Sequence, residues 1–288
     1  MPPADGAPAV VTPRLLRAWP LPEPSDDGDN HDRGTVLVVG GADSTPGAVL
    51  LAGLAALRVG AGRLQVATVR ATQAALGVAL PEAMVLGLEA GPSGSLAPSV
   101  AADLESAVDS AAVVVLGPGL LDKGEVGELL AALLPKVAHA SVVLDAVALS
   151  ALATRADLCG PLSGRLVLTP NGGEVKALCR GDDLDVPGLA ARYGAVVAAS
   201  REVADPDGGW WSSETGGIGL GTSGSGDVLA GVVGGLLARG CTPSQAAVWG
   251  QYVHAAAGDR LAADLGRTGY LARELLDELV PVLSGLRS

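Results

Sequence analysis

The feature that most restricts the fold is a change of hydrophobic period that repeats along the chain. Short β-branched runs at residues 35–39, 63–69, 112–116, 141–144 and 165–168 are separated by Ala- and Leu-rich runs of helical length at 47–59, 72–79 and 125–137. Strands joined through helices pair in parallel, because a parallel crossover needs a long return to the same edge. These strands are apolar almost throughout, so both faces of their sheet are covered. An α/β fold is expected: three layers, α/β/α, around a mostly parallel central sheet. At 288 residues one such domain fits the length better than two.

Residues 195–199 and 209–212 flank the turn Asp205-Pro206-Asp207-Gly208 and read as a hairpin closing one edge of the sheet. Trp210 and Trp211 adjoin on that edge strand, where opposite faces let no more than one enter a pocket. Helical periodicity returns at 226–238, 243–265 and 271–283, with Gly240 as a stop for the first of these. The Pro- and Asp-rich residues 1–32 read as a flexible lead-in, and the catalytic domain as residues 33–288.

Charge and composition remove whole classes of function. Nineteen Lys and Arg against thirty-one Asp and Glu leave a net charge of −12, the wrong sign for a phosphate backbone, so no nucleic-acid partner is expected. No apolar run approaches the roughly 18 residues of a membrane span, and the N-terminus lacks a basic stretch followed by an apolar one. No membrane partner is therefore expected, and the chain reads as cytoplasmic. Cys159, Cys179 and Cys241 are odd in number and widely spaced, which suits reduced, semi-buried thiols rather than a disulfide framework.

In an open α/β sheet, ligands collect beyond the carboxyl ends of the strands. The loop Gly221-Thr222-Ser223-Gly224-Ser225-Gly226-Asp227 runs directly into a helical segment. Small residues there let backbone N–H groups turn inward beside the positive end of the helix dipole, which suits a phosphate. Asp227 is out of place in an anion pocket unless it accepts a proton from a hydroxyl attacking the terminal phosphoryl group, or merely caps the helix. Neither a Walker A loop nor a dinucleotide G-x-G-x-x-G is present. His254, on an apolar helix, reads as a satisfied packing histidine rather than a catalyst.

Five segments in order carry a family resemblance: Gly34-Thr-Val-Leu-Val-Val-Gly-Gly41 leading to Pro46-Gly47-Ala48; Val115-Leu-Gly-Pro-Gly119; Val143-Leu-Asp-Ala146; Leu168-Thr-Pro-Asn-Gly-Gly-Glu174; and Gly224-Ser-Gly-Asp227-Val-Leu-Ala-Gly231. On them, residues 31–284 resemble the ADP- or ATP-dependent NAD(P)H-hydrate dehydratases of the ribokinase-like superfamily. The resemblance implies a ribokinase-like fold and a hydro-lyase reaction: water is removed from hydrated NADH or NADPH while ADP or ATP is split to AMP or ADP and phosphate. It implies Asp227 as the base, with Gly224, Ser225 and Gly226 around phosphate and AMP. It puts Ala48, Gly119, Asn171 and Asp227 against the hydrated nicotinamide, and Glu174 and Asp145 at Mg²⁺ or its waters.

Three positions depart from the family pattern. Asn171-Gly172-Gly173-Glu174 stands for His-Pro-Gly-Glu, Asp145-Ala146-Val147 for Asp-Ala-Asp, and residues 197–201 lack the lysine of a nucleotide-contacting Lys-Gly-x-x-Thr. From a shifted position, Arg201 is expected to supply the cation for the nucleotide. The family also implies a homotetramer and a hydrate epimerase, expected here as a separate chain because about 30 residues before the first strand are too few for a domain. Two other readings use the same residues. One is a ribokinase-like kinase of a small alcohol such as a thiazole or pyrimidine precursor; the other is a nucleotide-binding module with reduced catalysis.

Overall fold

The computed structural model describes residues 7–23 and 33–287. Its elements begin with β1 (Ala9–Val10), α1 (Pro13–Ala18), β2 (Thr35–Val39), α2 (Gly47–Arg58), β3 (Arg63–Val69), α3 (Gln73–Ala79) and β4 (Ala83–Leu88). Then come α4 (Glu105–Ser110), β5 (Val113–Leu116), α5 (Lys123–Leu133), β6 (Ser141–Leu144), α6 (Val147–Leu152) and β7 (Leu166–Leu168). They are followed by α7 (Gly172–Cys179), α8 (Val186–Tyr193), β8 (Val196–Ala199), β9 (Glu202–Ala204), β10 (Trp210–Ser212), α9 (Ser225–Ala238), α10 (Pro243–Leu265) and α11 (Ala272–Arg287).

The strands form one sheet in the order β1-β10-β9-β8-β7-β6-β5-β2-β3-β4. Only β8–β9 and β9–β10 pair antiparallel. Both faces are covered, as the apolar strands require: in β2, Val36 and Val38 join one hydrophobic cluster while Leu37 and Val39 join the other. From β2 the chain builds outward through β3 and β4, then returns to β5 and builds the other way through β6, β7 and β8. The reversal between β2 and β5 is a topological switch point, where loops diverge and leave a crevice.

Two expectations need correction. Residues 9–21 are no flexible lead-in. Strand β1 pairs in parallel with β10, Ala9 opposite Trp211; Leu16 is fully buried; and Trp19 stacks on Trp211 with ring centroids 5.8 Å apart. Apolar burial and a parallel pairing from a distant part of the chain outweigh the Pro-rich composition. The acidic positions Asp26, Asp27, Asp29 and Asp32 lie outside the described residues. The turn at residues 205–208 joins β10 to the three-residue β9, not to β8. With β1 outside it, β10 is not an edge strand, and the Trp210 indole donates to Glu202 Oε2 at 3.3 Å. The three cysteines are free and buried rather than half-buried. Among the described residues, no helix is long and apolar enough to cross a membrane.

Helix α9 fixes the geometry of the crevice. A β-carbon on Gly231 would lie 2.1 Å from the Ala52 carbonyl oxygen, and one on Gly235 2.4 Å from that of Ala56. The backbones of α9 and α2 therefore touch along a seam that any side chain would force apart. Gly231→Ala is expected to lower the melting midpoint, with overpacking of about 1–3 kcal/mol. Gly77→Ala in α3, where the added carbon has nothing within 4 Å, is expected to raise it slightly by restricting the unfolded chain. Equal shifts of the two variants in a thermal melt would contradict the seam.

Candidate active site

At the switch point the loops after β2 and β5 interlock: Gly41 N–H donates to the Pro118 carbonyl at 2.8 Å, and Thr45 Oγ1 donates to the Gly119 carbonyl at 2.6 Å. Ala48, in the first turn of α2, stands beside Gly119, where an added β-carbon would fall 2.9 Å from the Ala48 methyl. These two predicted residues are thus brought together. They do not line the cavity that holds the acidic residues.

That cavity, of about 370 Å³, is lined by Asp145, Asn171, Glu174 and the run Thr222 to Asp227 apart from Ser223. Helix α9 begins here. Gly224 takes the cap position with φ of 89°, a left-handed conformation that suits glycine, and no side chain caps the helix. The Ser225 N–H donates to the Thr222 carbonyl at 3.3 Å, and the other N–H groups of the first turn, with the helix dipole behind them, suit an acceptor from outside the chain. Asp227 is therefore not the N-cap; it lies in the first turn, half-buried at the cavity wall. Burial, with the Glu174 charge nearby, raises its carboxyl from 3.8 to about 6.

Asp145, at the end of β6, is buried and its Oδ1 accepts from the Thr169 hydroxyl at 2.8 Å. Desolvation, partly offset by that bond and reinforced by Asp227 and Glu174, raises it to about 7. The next residue, Ala146, has φ of 52° and ψ of −132°, a conformation costly for any residue with a side chain. Asn171 closes a capping box on α7: its Oδ1 accepts from Gly173 and Glu174 N–H, while Glu174 Oε2 accepts from its own N–H. The side-chain oxygen is thus committed, leaving the NH₂ for a ligand. Burial likewise raises the Glu174 carboxyl.

A second cavity of about 450 Å³ adjoins the first, sharing Thr169, Asn171, Ser225 and Gly226. The tight turn between β8 and β9 brings Arg201 to its wall, with Nη2 donating to the Gly216 carbonyl at 2.6 Å. Its floor contains two residues of α10 whose role the apolar helix pattern conceals. Gln251 donates to the Ser200 and Glu202 carbonyls at 2.9 and 3.3 Å, and His254 Nε2 lies 3.0 Å from Ser225 Oγ. His254 is satisfied, as expected, but by Ser225 at the start of α9 rather than by the core. Among the described residues no three His, Cys, Asp or Glu groups stand close enough to hold a metal ion by themselves. Hard carboxylate oxygens along one wall suit a hydrated Mg²⁺ that arrives on phosphates, since this ion keeps several waters and needs only one or two carboxylates.

A model of the NAD(P)H-hydrate dehydratases matches residues 36–281. The chain belongs to this dehydratase family. The ADP-dependent (S)-NAD(P)H-hydrate dehydratase of Xanthomonas campestris pv. campestris is 42% identical over 288 aligned residues, 96% of each chain. Among solved structures, the ADP/ATP-dependent NAD(P)H-hydrate dehydratase of Bacillus subtilis, co-crystallised with ATP/Mg²⁺, is 27% identical with a TM-score of 0.78, covering 98% of this chain and all of that one. A ribokinase-like superfamily protein of Enterococcus faecalis V583, 22% identical, superposes with a TM-score of 0.84 over 99% of this chain and 98% of its own, which shows the ribokinase-like fold.

In this dehydratase-family chain the carboxylate wall is a source of instability as well as chemistry. A group held at about 7 in the fold and 3.8 in the unfolded chain contributes stability that is complete below 3.8 and lost as pH rises through about 7. Asp145→Asn does not titrate. It should exceed the wild type in stability by an amount that grows between pH 4 and 7 and levels off above, on the order of 4 kcal/mol at the plateau. A stability difference independent of pH in urea melts would contradict the burial argument.

Proposed function

We propose that the chain is an ADP-dependent hydro-lyase that returns hydrated NADH or NADPH to the reduced cofactor, releasing AMP and phosphate, or ADP and phosphate when ATP is the donor. The observation that carries this reading is Asp227 in the first turn of an uncapped helix, raised to about 6 beside the phosphate loop. The hydroxyl on the hydrated ring is a poor leaving group. Attack of its oxygen on the terminal phosphorus breaks the bond to AMP and gives a phosphate ester; the ring-nitrogen lone pair then expels phosphate to leave an iminium ion, and loss of a proton from the adjacent ring carbon to the departing phosphate or to water forms the carbon–carbon double bond.

Asp227 accepts the hydroxyl proton, and a base with a pKa near the working pH balances availability against strength. The N–H groups of Gly224 and Gly226, with the Ser225 hydroxyl between them, receive charge that builds on the transferring phosphoryl group. Asn171 offers its NH₂ to the hydrate, and Ala48 and Gly119, which lie outside the acidic cavity at the switch point, are assigned to the nicotinamide on the family resemblance. Arg201 supplies the cation for the nucleotide from the β8–β9 turn. Bound Mg²⁺ would neutralise the nucleotide's phosphates, held through water by Glu174 and Asp145. The name of the Xanthomonas relative favours ADP as donor. We further infer a cytoplasmic homotetramer supplied by a separate hydrate epimerase, on the family resemblance.

Asp227→Asn should retain nucleotide affinity while kcat falls by about 10²–10⁴, the usual contribution of a general base. In the wild type, kcat/KM should drop tenfold per pH unit below about 6 as the base is protonated. The assay is recovery of reduced-nicotinamide absorbance from enzymatically hydrated NADH with Mg²⁺ and ADP, with phosphate release followed in parallel. Wild-type-like turnover by the variant would remove Asp227 from the chemistry. A stable phosphorylated product would instead indicate a kinase.

A further inference from the structure

We propose that His254 is a positioning residue for phosphate recognition: its Nε2–H donates to Ser225 Oγ and thereby frees the serine proton to donate to the terminal phosphate of the nucleotide. The inference rests on the phosphoryl-transfer reading above and assigns a step to a residue outside it.

The geometry is confined to two buried side chains. His254 comes from the middle of α10 and Ser225 from the first turn of α9, 29 residues earlier, with Nε2 and Oγ 3.0 Å apart. Each is below a tenth exposed, and both line the larger cavity. One turn before His254 on α10, Gln251 holds the turn that carries Arg201. One face of α10 therefore grips both lips of the cavity.

Proton counting decides the direction of the bond. A serine hydroxyl has one proton, and phosphate oxygens at neutral pH are acceptors. If the proton went to the imidazole, Ser225 would present only lone pairs to the phosphate and repel it. If the imidazole donates, the hydroxyl keeps its bond to His254 and is free to point its proton into the cavity. Burial depresses the His254 imidazole to about 4, so at neutral pH the ring carries a single proton for one of its two nitrogens. The position at Nε2 is the one that serves the phosphate.

Binding of ADP and of AMP, measured by calorimetry, separates recognition of the terminal phosphate from the rest of the nucleotide. His254→Leu and Ser225→Ala should each reduce the preference for ADP over AMP by about tenfold, the scale of one hydrogen bond to a charged group. The double variant should lose no more than either alone, since one side chain acts through the other. His254→Gln, which keeps an N–H at similar reach, should restore most of the preference. In the wild type, nitrogen NMR of the ring should show the proton on Nε2, an observation that needs no variant to fold.

A preference unchanged in His254→Leu but lost in Ser225→Ala, losses that multiply in the double variant, or a proton on Nδ1 would each overturn the proposal while leaving the dehydratase reading intact. A wild-type protein that binds AMP as tightly as ADP would overturn both.

Discussion

Everything at the site depends on the close seating of helix α9. Gly231 and Gly235 bring its backbone against α2, and on its other side a β-carbon on Gly234 would lie 2.6 Å from Val115 in β5. A helix held this near to both the sheet and a neighbouring helix has little freedom to slide. Its N-terminus is therefore set above the carboxyl end of β6, where an added β-carbon on Gly226 would lie 4.0 Å from Asp145 Oδ2. The cost is a helix rich in glycine, which favours the unfolded chain by about 0.5–1 kcal/mol per residue. Burial of almost all its apolar side chains offsets it.

A chain of net charge −12 nevertheless offers a place for polyanions, and the reconciliation is local. Dipoles from orphaned N–H groups do not appear in a count of charges but act at hydrogen-bond range. The facing acids are partly neutralised by their own surroundings, with Asp145 near 7 and Asp227 near 6. Protons on these groups lower the repulsion that a phosphate would otherwise meet, and Arg201 adds a cation at the second cavity. The same burial that the proposed base role of Asp227 requires also makes the site tolerant of an anion.

Most of the scaffold was legible because it is written in local period. Strand Ser141–Leu144 and helix Pro243–Leu265 have the bounds that hydrophobic patterning alone assigns. The failures have more than one cause. Strand β1 has two residues and depends on a distant partner, β10, and on Trp211; β9 has three, too few to show a period, and is paired on both sides; β4, at the open edge, is half-exposed although its sequence Ala-Met-Val-Leu-Gly-Leu is apolar throughout. At the site, Asp227 and its glycines could be read because small residues before a helix have few other uses. His254 could not, since its partner lies 29 residues away and an apolar helix suggests packing. Asn171 was read as a ligand contact, and its capping role follows equally from the Glu three residues later.

The claim that the ring hydroxyl leaves as phosphate is open to direct isotopic tracing. Hydrated NADH whose ring hydroxyl carries a heavy oxygen isotope would be turned over with unlabelled ADP in ordinary water, and the released phosphate analysed by mass spectrometry. Transfer of the phosphoryl group to that hydroxyl predicts one heavy oxygen in each phosphate and none in the solvent. Unlabelled phosphate, with the heavy isotope recovered in water, would mean that nucleotide cleavage and dehydration proceed as separate events and would contradict the account.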